Sequence, residues 1–303
     1  VTESAAREPT SAPRRAATPA PAPILPVDQH LDQSLEAALE DHSDKECPKT
    51  TGDVALDWCV FYEGPSDGPV LATIGDSMAR AFRPGLEAEG ARRGFSYVQA
   101  AWGGCTISGI AVAQVDPADI RPFDLECRDN AVSAVESMID AVHPSVLIMT
   151  EHGAAVSQLQ IDGRWIPALT DEHDQVLING YIASFGRLLN RVDHIVLIET
   201  NQDGLPVGCV EETSGEGQSC SQFADNVDAI ERFNGVLHAV ADRFPGRVSV
   251  ISISDLVCPN GTCLPIRDGM LIRYDGQHYT ATFSRWLVPQ LLPRITAASG
   301  VTF

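Results

Sequence analysis

Short apolar runs alternate with helical patterns five times along this chain, and that order constrains the fold more than any other feature. The runs Val70 to Ile74, Tyr97 to Ala101, Val146 to Met149, Ile195 to Ile198 and Val248 to Ile253 are apolar or β-branched. Stretches with helical spacing lie between or after them: Met78 to Glu89, Ala131 to Val142, Gln175 to Arg191, Ala224 to Arg243 and Ala281 to Ile295. Strands that alternate with helices fold as parallel crossovers, which cover both faces of a sheet. The expected fold is α/β, with a mostly parallel five-stranded sheet between helical layers. In open sheets of this kind reactive groups collect beyond the carboxyl ends of the strands.

Ahead of that region, Val1 to Pro26 is rich in Ala, Pro, Thr and Arg and offers little to bury, so a linker is expected over residues 1–26. Leu31, Leu35 and Leu39 follow at four-residue spacing, which predicts an amphipathic helix over Val27 to Asp41. It serves as a joining element over residues 27–46 or simply docks on the domain. The domain proper is expected over 47–303. Val1 to Pro23 lacks an apolar core and reads as an internal start rather than a signal peptide. No apolar run is long enough to span a bilayer. A net charge of −20 argues against nucleic-acid or anionic-membrane binding, since both need clustered cations.

Eight cysteines fall in neighbouring pairs: Cys47 with Cys59, Cys105 with Cys127, Cys209 with Cys220, and Cys258 with Cys263. Each pair encloses a short loop-like segment without the Cys-x-x-Cys spacing of a zinc ribbon. Four local disulfides and an extracytoplasmic location are the preferred reading, with free or metal-bound thiols as the alternative.

"GDS" at Gly75 to Ser77 follows the first strand and opens a helix. There, unpaired N–H groups can orient a hydroxyl or stabilise an oxyanion. Asp and Ser are also favoured helix caps, so the default reading of the tripeptide alone is a capping turn. A nucleophilic serine needs a base, and the base an orienting partner. Six of the histidines, His30, His42, His143, His173, His194 and His238, read as linker, exposed or helix-end residues. "DGQH", Asp275 to His278, is different, because it precedes the last helix and can fold a carboxylate against the imidazole Nδ1–H.

These two motifs in this order resemble the SGNH (GDSL-type) family of esterases and acyltransferases. The resemblance implies a three-layer α/β/α flavodoxin-like fold and a triad of Ser77 as nucleophile, His278 as base and Asp275 as orienting group. It implies an oxyanion hole from the Ser77 N–H and a glycine after the second strand, Gly104 in preference to Gly103 in "WGGC". The family's third block, Gly-x-Asn-Asp, is Thr150-Glu151-His152-Gly153 here. His152 stands where the Asn would, either donating a ring N–H to the hole or serving structurally.

"CVFYEGPSDGPV", "GGCT" and "LVCPNGTC" around these motifs are similar to the SGNH domain fused to bacterial type-three membrane acyltransferases. Met78 stands where that branch often has His. The likeness implies O-acylation of a cell-envelope glycan, with the acyl donor delivered by a membrane acyltransferase domain to which residues 1–46 are the tether. A secreted carbohydrate esterase using water as acceptor is the second reading, and a glycan-binding module with a vestigial triad the third. No cofactor and no metal are expected, because no phosphate loop, dinucleotide fingerprint or metal-ligand set is present.

Overall fold

A computed structural model describes residues 30–42, 47, 56–113, 120–204, 226–261 and 263–303. The expected linker, and the expected Cys209–Cys220 pair, lie outside the described residues. In chain order the elements are α1 (Leu35–Leu39), β1 (Cys59–Tyr62), β2 (Val70–Gly75), α2 (Ser77–Ala81), α3 (Arg83–Arg93) and β3 (Ser96–Ala101). Next come β4 (Ala111–Ala113), α4 (Pro122–Val142), β5 (Val146–Thr150), α5 (Gly153–Val156), β6 (Gln158–Ile161), β7 (Arg164–Ile166) and α6 (Asp171–Leu188). The last part holds β8 (Ile195–Ile198), α7 (Val227–Ala241), β9 (Val248–Ile251), α8 (Ser254–Val257), β10 (Ile266–Arg267), β11 (Met270–Leu271) and α9 (Ala281–Ser299).

The central sheet runs β1-β3-β2-β5-β8-β9, with every neighbouring pair parallel except β1 with β3. Among the described residues it therefore has six strands rather than the expected five. The addition is the antiparallel edge strand "CVFY", whose pairing with β3 shifts register between Val60 and Tyr62. Period-two alternation divides the interior into two layers. Ala72, Ile74, Leu147 and Met149 face one core with α4, α6 and α7. Leu71, Val146 and Ile148 face the other with α2, α3 and α9. The result is the expected α/β/α class.

Other differences have local causes. The helix expected over Val27 to Asp41 shrinks to α1, because Ser34 caps it by accepting from the Ala37 N–H. Upstream, the Asp32 N–H is pinned to the Gly269 carbonyl. Leu31, Ala38 and Leu39 still dock, on Ile266 and Leu271. The helix expected over Met78 to Glu89 splits into α2 and α3 because Pro84 has no N–H to continue the ladder. His173 and His194 are buried, bonding the Ser157 carbonyl and Ser249 Oγ respectively.

Cys47–Cys59, Cys105–Cys127 and Cys258–Cys263 are bonded, and no cysteine among the described residues is free. Among the described residues no helix is long and apolar enough to cross a membrane.

Candidate active site

Gly75 ends β2 with φ of 128°, beside the Thr150 end of β5. A Cβ at Gly75 would lie 2.2 Å from the Thr150 carbonyl oxygen, so only glycine lets the strands close at this point. The chain then turns through Asp76 into α2. Asp76, not Ser77, is the helix cap: its Oδ1 accepts from the Met78 N–H at 2.8 Å. Its Oδ2 accepts from the His152 and Gly153 N–H groups, both at 2.7 Å. One buried carboxylate thus fastens the turn after β2 to the turn after β5. From β3, Gln99 Nε2 donates to the Ala79 carbonyl and holds α2 from below. The Ser77 hydroxyl takes no part in this framework.

That hydroxyl instead lies 2.7 Å from His278 Nε2. His278 Nδ1 lies 2.6 Å from Asp275 Oδ2. Asp275 Oδ1 also accepts from the Gln277 and His278 N–H groups, at 3.0 and 2.7 Å. Burial works to raise the Asp275 pKa, but the imidazole and these backbone donors outweigh it and hold the carboxyl below its ordinary value. An ionised Asp275 keeps the hydrogen on Nδ1 and leaves Nε2 as acceptor for the serine hydrogen. The loop that carries the pair is closed by an isolated bridge between Arg273 and Tyr279. The Gly204 N–H also donates to the Gly276 carbonyl at 2.8 Å. Downstream, Thr280 caps α9, which crosses α3 so closely that a Cβ at Gly85 would lie 2.3 Å from the Ser284 carbonyl oxygen. That crossing brings His278 to Ser77.

Beyond β3 the Cys105 N–H closes a turn onto the Trp102 carbonyl at 2.9 Å. Gly104 takes its left-handed position, with φ of 77°. A Cβ on Gly103 would sit 4.0 Å from Ser77 Cβ, so this turn faces the serine. Neither glycine N–H has an acceptor among the described residues. The Cys105–Cys127 bond ties the turn to α4.

Of the two readings of His152, oxyanion donor or structural residue, its contacts fit the structural one. Its buried ring has Nδ1 2.5 Å from Gln277 Nε2 and Nε2 3.0 Å from Asp203 Oδ1. The Asp203 contact is at ion-pair distance without hydrogen-bond alignment, and Asn226 Nδ2 approaches the same nitrogen at 3.4 Å. Both ring nitrogens therefore face protein groups. The ring braces the Gln277 side chain, next to His278 in the chain.

Glu151 went unremarked in the sequence beyond its place in the third block. It is buried behind the serine turn, with Oε2 accepting from Thr106 Oγ1 and Tyr181 Oη, and Oε1 from the Ile107 N–H. It thereby joins the end of β5 to the segment that follows Gly104. Among the described residues no group of three or more His, Cys, Asp or Glu side chains is placed to hold a metal ion.

A family model described as "SGNH domain (fused to AT3 domains)" matches residues 42–293. The chain belongs to this SGNH family. The periplasmic domain of a lipopolysaccharide acetyltransferase from Salmonella ser. Paratyphi A shares the SGNH fold, with a TM-score of 0.53 and 16% identity over 78% of this chain and 85% of that one. A carbohydrate esterase family 2 enzyme with a carbohydrate-binding domain from Corynascus thermopiles (Myceliophthora fergusii) overlaps more loosely. Its TM-score is 0.45 and its identity 12%, over 79% of this chain and 69% of that one. No curated protein matches the SGNH chain in sequence.

Proposed function

We propose that residues 47–303 are the catalytic domain of an extracytoplasmic O-acyltransferase that acylates hydroxyls of a cell-envelope glycan. Ser77 Oγ attacks the acyl carbonyl as His278 Nε2 takes its proton, and the N–H groups of Ser77 and Gly104 receive the developing oxyanion. His278 gives that proton to the departing group, leaving an acyl-serine. A sugar hydroxyl then loses its proton to His278 and attacks the acyl-serine. The new ester leaves, and Ser77 recovers its hydrogen from His278. Asp275 orients the imidazole throughout and stabilises its charged form.

The observation that carries this reading is the unbroken chain Ser77–His278–Asp275, at 2.7 and 2.6 Å, assembled from motifs 201 positions apart. Fusion of the family to AT3 domains supports a membrane acyltransferase domain as the source of the acyl group. Residues 1–46 are then the tether. The three disulfides support an oxidising, extracytoplasmic setting.

Replacing Ser77 by Ala tests the reading, because the cap at this turn is Asp76. Ser77→Ala should lower turnover of 4-nitrophenyl acetate, and acetyl transfer from it to an oligosaccharide, by at least about 10⁴-fold. The thermal midpoint should stay within about 1 °C of the parent. Retained activity, or an intact protein on which a sulfonyl fluoride labels another residue, would refute it.

A further inference from the structure

The arginines of this acidic chain are mostly neutralised in place. Arg92 and Arg93 share Glu89, Arg187 and Arg191 share Glu136, Arg121 holds Asp124, and Arg294 holds Asp255. Arg80, Arg83 and Arg285 are exceptions, with no carboxylate within 4.0 Å and no carbonyl acceptor among the described residues. Arg243, at the end of α7, is another. The first three lie on the α2, α3 and α9 side of the molecule that carries Ser77.

Arg80 is one helical turn beyond Ser77, on the same face of α2. Its Nη1 lies 3.9 Å from the position a Cβ on Gly103 would take, and Ser77 Cβ lies 4.0 Å from that same point. The guanidinium therefore borders the space between the serine and the glycine turn. Burial, and then the neighbouring Arg83, lowers its pKa, as expected for a cation held without a counter-charge.

Arg83, three positions on from Arg80, lines a cavity of about 410 Å³ together with His42, Tyr62, Glu87 and Arg285 among others. Arg83 is buried, with its guanidinium over the Phe61 ring and its Nε shielded from solvent without an acceptor. Glu87 also lines the cavity but lies beyond ion-pair distance of Arg83 and Arg285. Ring contacts run from this cavity to the site: His42 packs against Tyr274 at 5.4 Å, and Tyr274 stacks on His278 at 5.8 Å.

Arginines without counter-charges suit planar or tetrahedral anions, which accept paired hydrogen bonds from each fork. We propose that Arg80, beside Ser77, and Arg83 and Arg285, in this cavity, bind anionic groups of the acceptor, so that the glycan acted on carries carboxylate or phosphate groups. This rests on the acyl-transfer reading for its ligand, a sugar, but the binding itself needs no catalysis.

The experiment is an NMR titration of the whole chain carrying Ser77→Ala with glucuronic acid, glucose 6-phosphate and glucose. At least one anionic sugar should bind about tenfold or more tightly than glucose, and which one does so identifies carboxylate or phosphate as the group. Adding Arg80→Gln and Arg83→Gln should cut that preference below about threefold. If Arg83→Gln does not fold, Arg80→Gln with Arg285→Gln should produce the same loss, while Arg80→Lys keeps part of the preference. Equal binding of the three sugars, no binding of any, or a preference that survives removal of the charges overturns the proposal. Because the titration uses the Ser77→Ala protein, its failure is separate from any failure of the acyl-transfer reading.

Discussion

Glu151 accepts hydrogen bonds from Thr106 Oγ1, Tyr181 Oη and the Ile107 N–H, and each of these favours its charged form. Burial opposes them and is the larger effect. With the charge of Asp76 nearby, it moves the carboxyl from an ordinary 4.5 to about 8. Tyr181, facing it from α6, is pushed well above its own ordinary value by burial and by Glu151, and adds no competing charge. A carboxyl raised in this way stabilises the folded state fully below pH about 4.5, and that contribution disappears as pH rises through about 8. Glu151→Gln mimics the protonated form: its amide can donate to the two hydroxyls while its oxygen keeps the Ile107 N–H. The variant should lose most of the decline in urea midpoint that the parent shows between pH 5 and 9. A parallel decline in both proteins would show that Glu151 is not the titrating group. Ser77, Asp275 and His278 were legible in the sequence because each motif is local, a turn before a helix or an Asp three residues ahead of a His. Glu151 was not, because its role depends on Thr106, Ile107 and Tyr181, which only folding brings to it. The two readings of His152 stayed open in the sequence for the same reason, since its partners Gln277 and Asp203 come from distant loops.

Among the elements, β2 and β5 decide how tightly the site is built. Their register pairs Gly75 with Thr150, and the absence of a side chain there allows the Asp76 carboxylate to reach the His152 and Gly153 N–H groups. Gly75→Ala would drive a methyl into a backbone oxygen between two interior strands, at a φ that L-residues rarely adopt. A loss of at least about 3 kcal/mol is expected, read as a lowered urea midpoint or as failure to fold. Unchanged stability would mean that the strand ends separate more easily than this packing allows. The interior strands were legible because burial on both faces writes them as continuous apolar runs. β1, β4, β6 and β7 escaped, being short and defined by their partners: β4 pairs with β6, and β6 with β7, in a small antiparallel sheet. Pro84 in the apparent helix after Ser77 was the available signal for the break between α2 and α3.

At the scale of the whole molecule, a net charge of −20 makes compaction work against self-repulsion. Exposed ion pairs such as Arg128 with Asp129 contribute little in return. Raising sodium chloride from about 20 to about 300 mM should therefore raise the thermal midpoint by ~2–4 °C. The same salt should weaken binding of an anionic sugar to Arg80, Arg83 and Arg285. Opposite signs from one titration separate the global field from the local one, and a midpoint that falls with salt would argue that the ion pairs dominate instead. The α/β class was legible from the alternation of elements, whereas the approach of α9 to α3 was not, because it rests on a contact between Gly85 and Ser284. That contact has a kinetic consequence. The strands β2, β3, β5, β8 and β9 all precede the loop that carries His278, and the bond from Ser77 to His278 spans 201 positions. A refolding chain can thus complete the sheet and enclose Trp58 while α9, with Trp286, is undocked and the protein still inert. Recovery of esterase activity should lag the fluorescence change, which makes catalysis a clock for the last docking event rather than for collapse.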